Sequence, residues 1–240
     1  MRAGAATWLL FAIGVSLPGL ARAQLIPQMP RARPSVIAGV SFEPELVLDL
    51  GYVQPFPPTS AELSLAVAGT LGILVLVPPE PELRGALVAL AALNGERWRA
   101  ACALELSLTH FDDDVASMFG IGAGLRCQPA HVLRNWALGL DLGVQIALTT
   151  HIEHTARAKG AFSERYPDLA ATNDGPRDGW YALTSQRIRL GLSAQVALSE
   201  YTSAALALGT LFALQAQGVY FSFGLLHVPL YLEIVLRFGW

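Results

Sequence analysis

Across residues 135–149 the chain alternates at period two. Trp136, Leu138, Leu140, Leu142, Val144, Ile146 and Leu148 are apolar, and the intervening Asn135, Ala137, Gly139, Asp141, Gly143, Gln145, Ala147 and Thr149 are small or polar. Successive side chains of a strand point to opposite faces, so this is one long strand with an oily face and a crowded, polar face. Strands of soluble domains run to ~5–6 residues, whereas an oblique bilayer crossing takes ~9–11. The length points to a membrane rather than to a water-soluble sheet.

The pattern recurs. Residues 97–110 set Trp98, Ala100, Cys102, Leu104, Leu106 and Leu108 against Arg97, Arg99, Ala101, Ala103, Glu105, Ser107 and Thr109. Residues 187–199 set Ile188, Leu190, Leu192, Ala194, Val196 and Leu198 against Arg187, Arg189, Gly191, Ser193, Gln195 and Ala197. The last segment sets Val228, Leu230, Leu232, Ile234, Leu236, Phe238 and Trp240 against His227, Tyr231, Glu233, Val235, Arg237 and Gly239. Weaker alternation covers 61–77, 115–127 and 203–215. Such segments, separated by turn signals, predict an all-β fold: an antiparallel up-and-down transmembrane β-barrel. A secreted sandwich also alternates. Here, however, the non-oily face is rich in Gly and Ala, as a narrow closed lumen requires, and poor in the Lys, Glu and Thr of a solvated face.

Working back from the C-terminus gives strands near 228–240, 202–216, 181–199, 132–150, 115–127, 97–110, 83–93 and 61–77. Residues 36–54 add two more, turning at Glu43-Pro44, for about ten strands, with eight as the alternative. With Trp240 at the periplasmic rim, short turns at Asn94-Gly95, Gln128-Pro129-Ala130 and Ser199-Glu200 fall on that side, and the long segment 151–179 falls outside. Trp98, Trp136 and Trp240 then gather at one interface and Trp180 and Tyr181 at the other.

Composition agrees: 53% of the 240 residues are hydrophobic and only 15% charged. Arg2, an apolar run over 5–15 and Ala21-Arg22-Ala23 read as a signal peptide over 1–23, cut before Gln24. A retained anchor is the competing reading, but the run is shorter than the ~20 residues a helical span needs. No Cys follows directly, so lipid attachment there is not expected. The proline-rich, basic stretch 24–34 reads as a short periplasmic lead, leaving 35–240 as a single barrel domain. A net charge of -3 gives no electrostatic basis for a nucleic-acid partner.

The ending Phe238-Gly239-Trp240 resembles the C-terminal strand of bacterial outer-membrane β-barrels. That resemblance implies residence in the outer membrane of a Gram-negative bacterium. It also implies contact with outer-membrane lipids and lipopolysaccharide, and reading of Trp240 by the barrel-assembly machinery. The block of Asp141, Thr150-His151-Ile152-Glu153-His154, Tyr166-Pro167 and Asp178-Gly179-Trp180-Tyr181 is similar to a group of uncharacterised outer-membrane barrels. The likeness covers the C-terminal half and implies no known activity.

Parity places Asp49, Glu62, Glu105, Asp141 and Glu233 in the lumen with Arg97, Arg99, Arg126, Arg187, Arg189 and Arg237. Unpaired, each such charge costs several kcal/mol to bury, so the near balance of signs predicts an ion-paired network that fills the interior. The corresponding function is structural or surface-binding. The alternative is a narrow pore for small solutes, since wide aqueous channels take ~16 strands.

A second candidate is the outer rim, where His110, Asp112, Asp113, Asp114, His151, Glu153, His154 and Asp178 supply residue types that hold a cation or ligand. Residues at i and i+3 of a strand point to opposite faces, so His151 and His154 need a special loop geometry to act together. The rival is a solvated loop packed by Trp180 and Tyr181. Omptin proteases and lipid A-modifying enzymes are small barrels too, and omptins resemble this chain in strand number and in an Asp and His rim. The local order of those residues does not match, however, and Ser185 and Ser193 have no His nearby in sequence. An outer-rim hydrolase is therefore the third reading, the balance favouring a non-catalytic barrel with no cofactor and no resident metal. A hairpin centred near Asp112 leaves Cys102 and Cys127 out of register, predicting two free, lipid-facing thiols.

Overall fold

The alternating segments become strands whose two faces meet opposite environments, and the only closed solution with no open sheet edge is a barrel. In the computed structural model, residues 33–42, 46–57, 60, 62–74, 83–112, 114–168, 177–215, 218–221 and 230–240 are described. The strands are β1 (Ser35–Phe42), β2 (Leu46–Pro55), β3 (Leu63–Leu74), β4 (Leu83–Asn94), β5 (Trp98–Asp112), β6 (Ala116–Leu133) and β7 (Trp136–His154). Helix α1 (Ala156–Arg165) follows, then β8 (Gly179–Ala197), β9 (Thr202–Gln215), β10 (Gly218–Phe221) and β11 (Leu230–Gly239).

Each strand pairs antiparallel with its sequence neighbour from β1 to β9, and β11 pairs with both β9 and β1, which closes the wall. The short β10 pairs with the end of β9 beyond the reach of β11, so the two share the tenth position. The barrel has ten strands, and the eight-strand alternative is excluded. The connection between β1 and β2, including Glu43-Pro44, lies outside the described residues, as do residues 1–32. Following paired residues once round from Ala137 leads through Gln195, Ala205, Val235, Gly39, Asp49, Gly72, Arg84, Thr109 and Gly120 back to β7 at Thr150. That stagger is what tilts the strands of a closed barrel.

Outward positions carry a belt of exposed Leu, Ile and Val, with Leu87 at 69% and Leu192 at 67% exposure. In water these would be the wrong residues in the wrong place; facing acyl chains they are the right ones. Trp98, Trp136, Tyr201, Phe238 and Trp240 ring the rim where β1 begins and β11 ends, here the near rim, and Trp180 and Phe119 meet edge-on at the far rim. Tyr181 departs from expectation: it turns inward, against Ala116, Met118 and Ile152. Among the described residues no helix is long and apolar enough to cross a membrane.

Near-rim connections are short. Asn94 and Gly95 lead from β4 into β5, with Gly95 donating to the Trp98 carbonyl, and Ser199 Oγ accepts from the Tyr201 and Thr202 amides between β8 and β9. The turn expected at Gln128-Pro129-Ala130 is corrected. β6 runs on to Leu133, and the hairpin closes at Arg134–Asn135, where Arg134 takes φ 51°, as two-residue hairpins demand. Pro129 has no N–H to give and sits where the β6–β7 ladder skips pairs between Cys127↔Leu142 and Ala130↔Gly139.

The cysteine expectation is also corrected. The β5–β6 register centres the hairpin between Asp114 and Val115 rather than at Asp112, which puts Cys102 opposite Cys127 with Cα atoms 4.1 Å apart and joined by a disulfide.

Candidate functional site

Small apolar residues from β1–β5, among them Ile37, Val53, Ala66, Ala68, Val88 and Ala103, pack with Val235 in the lumen. β6, β7, β8 and β11 contribute a charge cluster. Its centre is Asp141, fully buried, which accepts hydrogen bonds from Arg126 Nε (2.6 Å) and Nη2 (2.9 Å), Arg189 Nε (2.6 Å), Gln128 Nε2 (3.0 Å) and the Tyr231 hydroxyl (2.7 Å). Glu233 accepts from Arg126 Nη1 at 3.1 Å and from Arg189 Nη2. Two guanidiniums thus face two carboxylates with no net charge, the condition under which buried ions are tolerable.

The backbone makes room for this. Tyr231, Gly209, Gly191 and Asp141 form one row across β11, β9, β8 and β7. A Cβ on Gly191 would lie 2.2 Å from the Tyr231 hydroxyl oxygen, and one on Gly209 would lie 2.8 Å from the ring. Tyr231 therefore lies flat over two glycines to reach Asp141 from three strands away. The Arg189 guanidinium stacks 3.7 Å from its ring centroid, a cation–π contact shielded from water. In the next row Gly143 stands between Arg126 and Arg189, leaving space for both side chains. Beside the cluster a cavity of about 10 Å³ is lined by Glu105, Arg126, Gln145 and Arg189, about the least that holds one water.

The other expected lumen charges divide. Asp49, Glu105 and Arg237 are buried, Asp49 near Ser41 Oγ (3.4 Å) and Arg237 donating from Nε to Ser35 Oγ (2.8 Å). Arg99 and Arg187 are partly buried on the inward face. Glu62 and Arg97 are corrected: both are exposed in near-rim connections, because β3 and β5 begin just after them. Sequence parity missed Arg84, 3% exposed in an otherwise Ala- and Leu-rich strand, as well as Gln128 and the role of Tyr231.

At the far rim the expected residues separate into pairs. His110 Nε2 meets Asp112 at 3.0 Å, and Asp114 meets Arg157 at 3.3 Å, both pairs exposed. Asp178 accepts from the His154 backbone amide (2.8 Å), lies 3.1 Å from His154 Nδ1 and pairs with Lys159. The Lys159 ammonium first, and the His154 amide second, hold the Asp178 carboxyl below the usual carboxylate range. His151 points to the other face and packs on Trp180 at 5.0 Å between ring centroids, and Glu153 is exposed. Asp113 lies outside the described residues. Among the described residues no three of His, Cys, Asp and Glu converge as metal ligands would.

His154 is on the inward face because β7 bulges at Leu148: Ile121 pairs with Thr149 but Gly122 with Ala147, and parity reverses beyond. Its Nε2 is buried without a partner, on the face it shares with Ala116, Met118 and Ile152. Thr155 caps α1, accepting from the Ala158 amide and donating to the Asp114 carbonyl, so the helix is tied to the β5–β6 connection.

A closed antiparallel wall with an apolar outer belt, aromatic rims and an ionic interior defines a transmembrane β-barrel of the outer-membrane type. No protein-family profile and no characterised protein sequence matches the chain. Many solved structures are similar to it, and three of them illustrate the likeness. The KdgM porin shares 6% identity over 86% of this chain and 99% of its own, with TM-score 0.38. An outer membrane channel from Pseudomonas putida F1 shares 10% over 92% of this chain and all of its own, with TM-score 0.46. The translocator domain of the autotransporter NalP from Neisseria meningitidis shares 10% over 97% and 92%, with TM-score 0.42.

Proposed function

We propose that the chain is an outer-membrane β-barrel of structural or surface-binding type whose lumen is closed by its own side chains. The observation that carries this reading is the Arg126–Asp141–Arg189–Glu233 cluster, with Tyr231 lying across it, in a ten-stranded wall. Charges that satisfy one another so fully resist displacement by solvent or solute. In this reading residues 1–23 are a signal peptide removed on export, and 24–34 remain in the periplasm of a Gram-negative cell. The near rim faces that compartment, with Trp240 available to the assembly machinery. The far rim, with α1, meets lipopolysaccharide.

A narrow pore for small solutes is the second reading. It is supported by Ser107 Oγ, Gln128 Oε1 and Gln195 Oε1, buried on the inward face without protein partners, where water would sit. A hydrolase is disfavoured because Nε2 of His154, the atom that would take a proton, is buried at the strand end. Planar-bilayer recording of the purified full chain separates the first two readings. The closed-lumen reading expects no large, steady conductance at neutral pH; a reproducible open channel would overturn it.

A further inference from the structure

Cys102 and Cys127 are neighbours on β5 and β6, and their disulfide lies on the outward face of the wall. The adjoining pair on that face is Leu104 and Leu125, 61% and 52% exposed, and Trp98 marks the near rim four positions before Cys102. At ~3.3 Å per residue, the sulfurs sit about 13 Å along a tilted strand from that aromatic rim, inside the apolar belt. A disulfide in hydrocarbon presents a chemical difficulty. Thiol–disulfide exchange runs through a thiolate, and a thiolate cannot be generated where there is no water to solvate it.

We propose that Cys102 and Cys127 are a modification site for a soluble protein disulfide, oxidised before the barrel enters the bilayer and closed to redox exchange afterwards. The proposal rests on the membrane-barrel reading, since only lipid seals the outward face. The thiolate of one cysteine attacks the donor's disulfide, giving a mixed disulfide and releasing one donor thiol. The second cysteine's thiolate then attacks the chain's sulfur in that mixed disulfide and expels the other donor thiol. Two electrons pass to the donor, and the two cysteine protons end on its two thiols. Because Cys102 and Cys127 occupy one register position, the bond admits only pairings close to the final β5–β6 alignment. It therefore presets the β5–β6 hairpin before insertion.

The test uses the full chain purified in urea with both thiols reduced. One portion is oxidised with a soluble protein disulfide or oxidised glutathione in urea. A second is first inserted into phosphatidylcholine vesicles and then given the same oxidant. Insertion is scored separately, by resistance of the unheated barrel to unfolding in SDS and by flotation with the vesicles. The expected result is oxidation at least tenfold slower in the inserted barrel, and an oxidised, inserted barrel whose disulfide resists a charged phosphine reductant that reduces it quickly in urea. Equal rates of oxidation, or equally fast reduction, in barrels shown to be inserted would overturn the proposal. Failure of both the reduced and the oxidised chain to insert would instead overturn the membrane-barrel reading beneath it. A Cys102→Ser/Cys127→Ser variant that inserts normally confirms that the rates report the sulfurs rather than misfolding.

Discussion

Replacing Asp141 by alanine removes the acceptor on which five hydrogen bonds converge. Arg126 and Arg189, both buried, would then face one another across Glu233, and the cluster would lose one of its buried negative charges. Breaking a buried ion pair by removing one partner costs ~3–5 kcal/mol, and Tyr231 and Gln128 each lose a buried hydrogen bond as well. The expected destabilisation of Asp141→Ala is therefore about 4 kcal/mol or more. Asp141→Asn keeps the shape and some of the hydrogen bonds, and should fall between the variant and the native chain. The assay is reversible urea unfolding in lipid vesicles, followed by tryptophan fluorescence, with folded barrel scored independently by mobility on unheated gels. A cycle with Arg126→Ala isolates the pairwise part, expected to exceed about 1 kcal/mol because the two side chains touch. A loss below about 1 kcal/mol for Asp141→Ala, with no coupling to Arg126, would refute the view that this cluster holds the interior together.

Other consequences are independent of that one. Gly191→Val should push Tyr231 off Asp141 and cost about 1–3 kcal/mol by overpacking, whereas Gly69→Ala, where an added Cβ meets nothing within 4 Å, should change the urea midpoint little. Leu192→Arg, in the middle of the outward belt, should destabilise the inserted barrel by ~2–4 kcal/mol, and Leu133→Arg at the near rim by ~0–1; equal costs in vesicle unfolding would contradict the assigned membrane position. The carboxyl of Asp178 is depressed in the folded state, so the anchoring it gives to α1 through Lys159 is fully present above its unfolded value of ~3.9 and is lost as pH falls below that. Protease protection of α1 should hold from pH 7 to 5 and fail only in stronger acid, and Lys159→Ala should move the failure upward; loss of protection between pH 7 and 5 in the native chain would refute the assignment.

What the chain discloses directly is the alternation, because burial against lipid on one face and a crowded lumen on the other leaves little choice of residue at each position. β7 is legible from Trp136 to Ala147 for that reason. What it conceals is whatever breaks period two. The extra residue at Leu148 has no compositional mark, yet it turns His154 from the lipid face to the lumen. Pro129 is a turn residue by habit, but here it occupies a gap in the ladder within a long strand, opposite the β7 segment whose Gly139 lets the backbones close in. The disulfide was hidden by a small displacement of the hairpin centre, enough to slide every pair of β5 and β6. Asp141, Arg126, Arg189 and Glu233 were readable as inward charges; that Tyr231 joins them depended on two glycines on other strands, which no local pattern connects.

Spin labels placed singly along β7 from position 138 to 153, in the Cys102→Ser/Cys127→Ser background and in lipid vesicles, test the central arrangement most directly. Lipid-soluble oxygen should reach labels at Leu138, Leu140, Val144 and Leu148 best, and past the bulge the exposed phase should switch to His151 and Glu153. Labels replacing the inward Gln145 and Ala147 should be shielded from oxygen and from a water-soluble nickel complex alike. Strong collisions with the nickel complex at Leu138, Leu140 and Val144, or oxygen maxima at positions 145 and 147, would contradict a barrel that is oily outside and closed by ion pairs within.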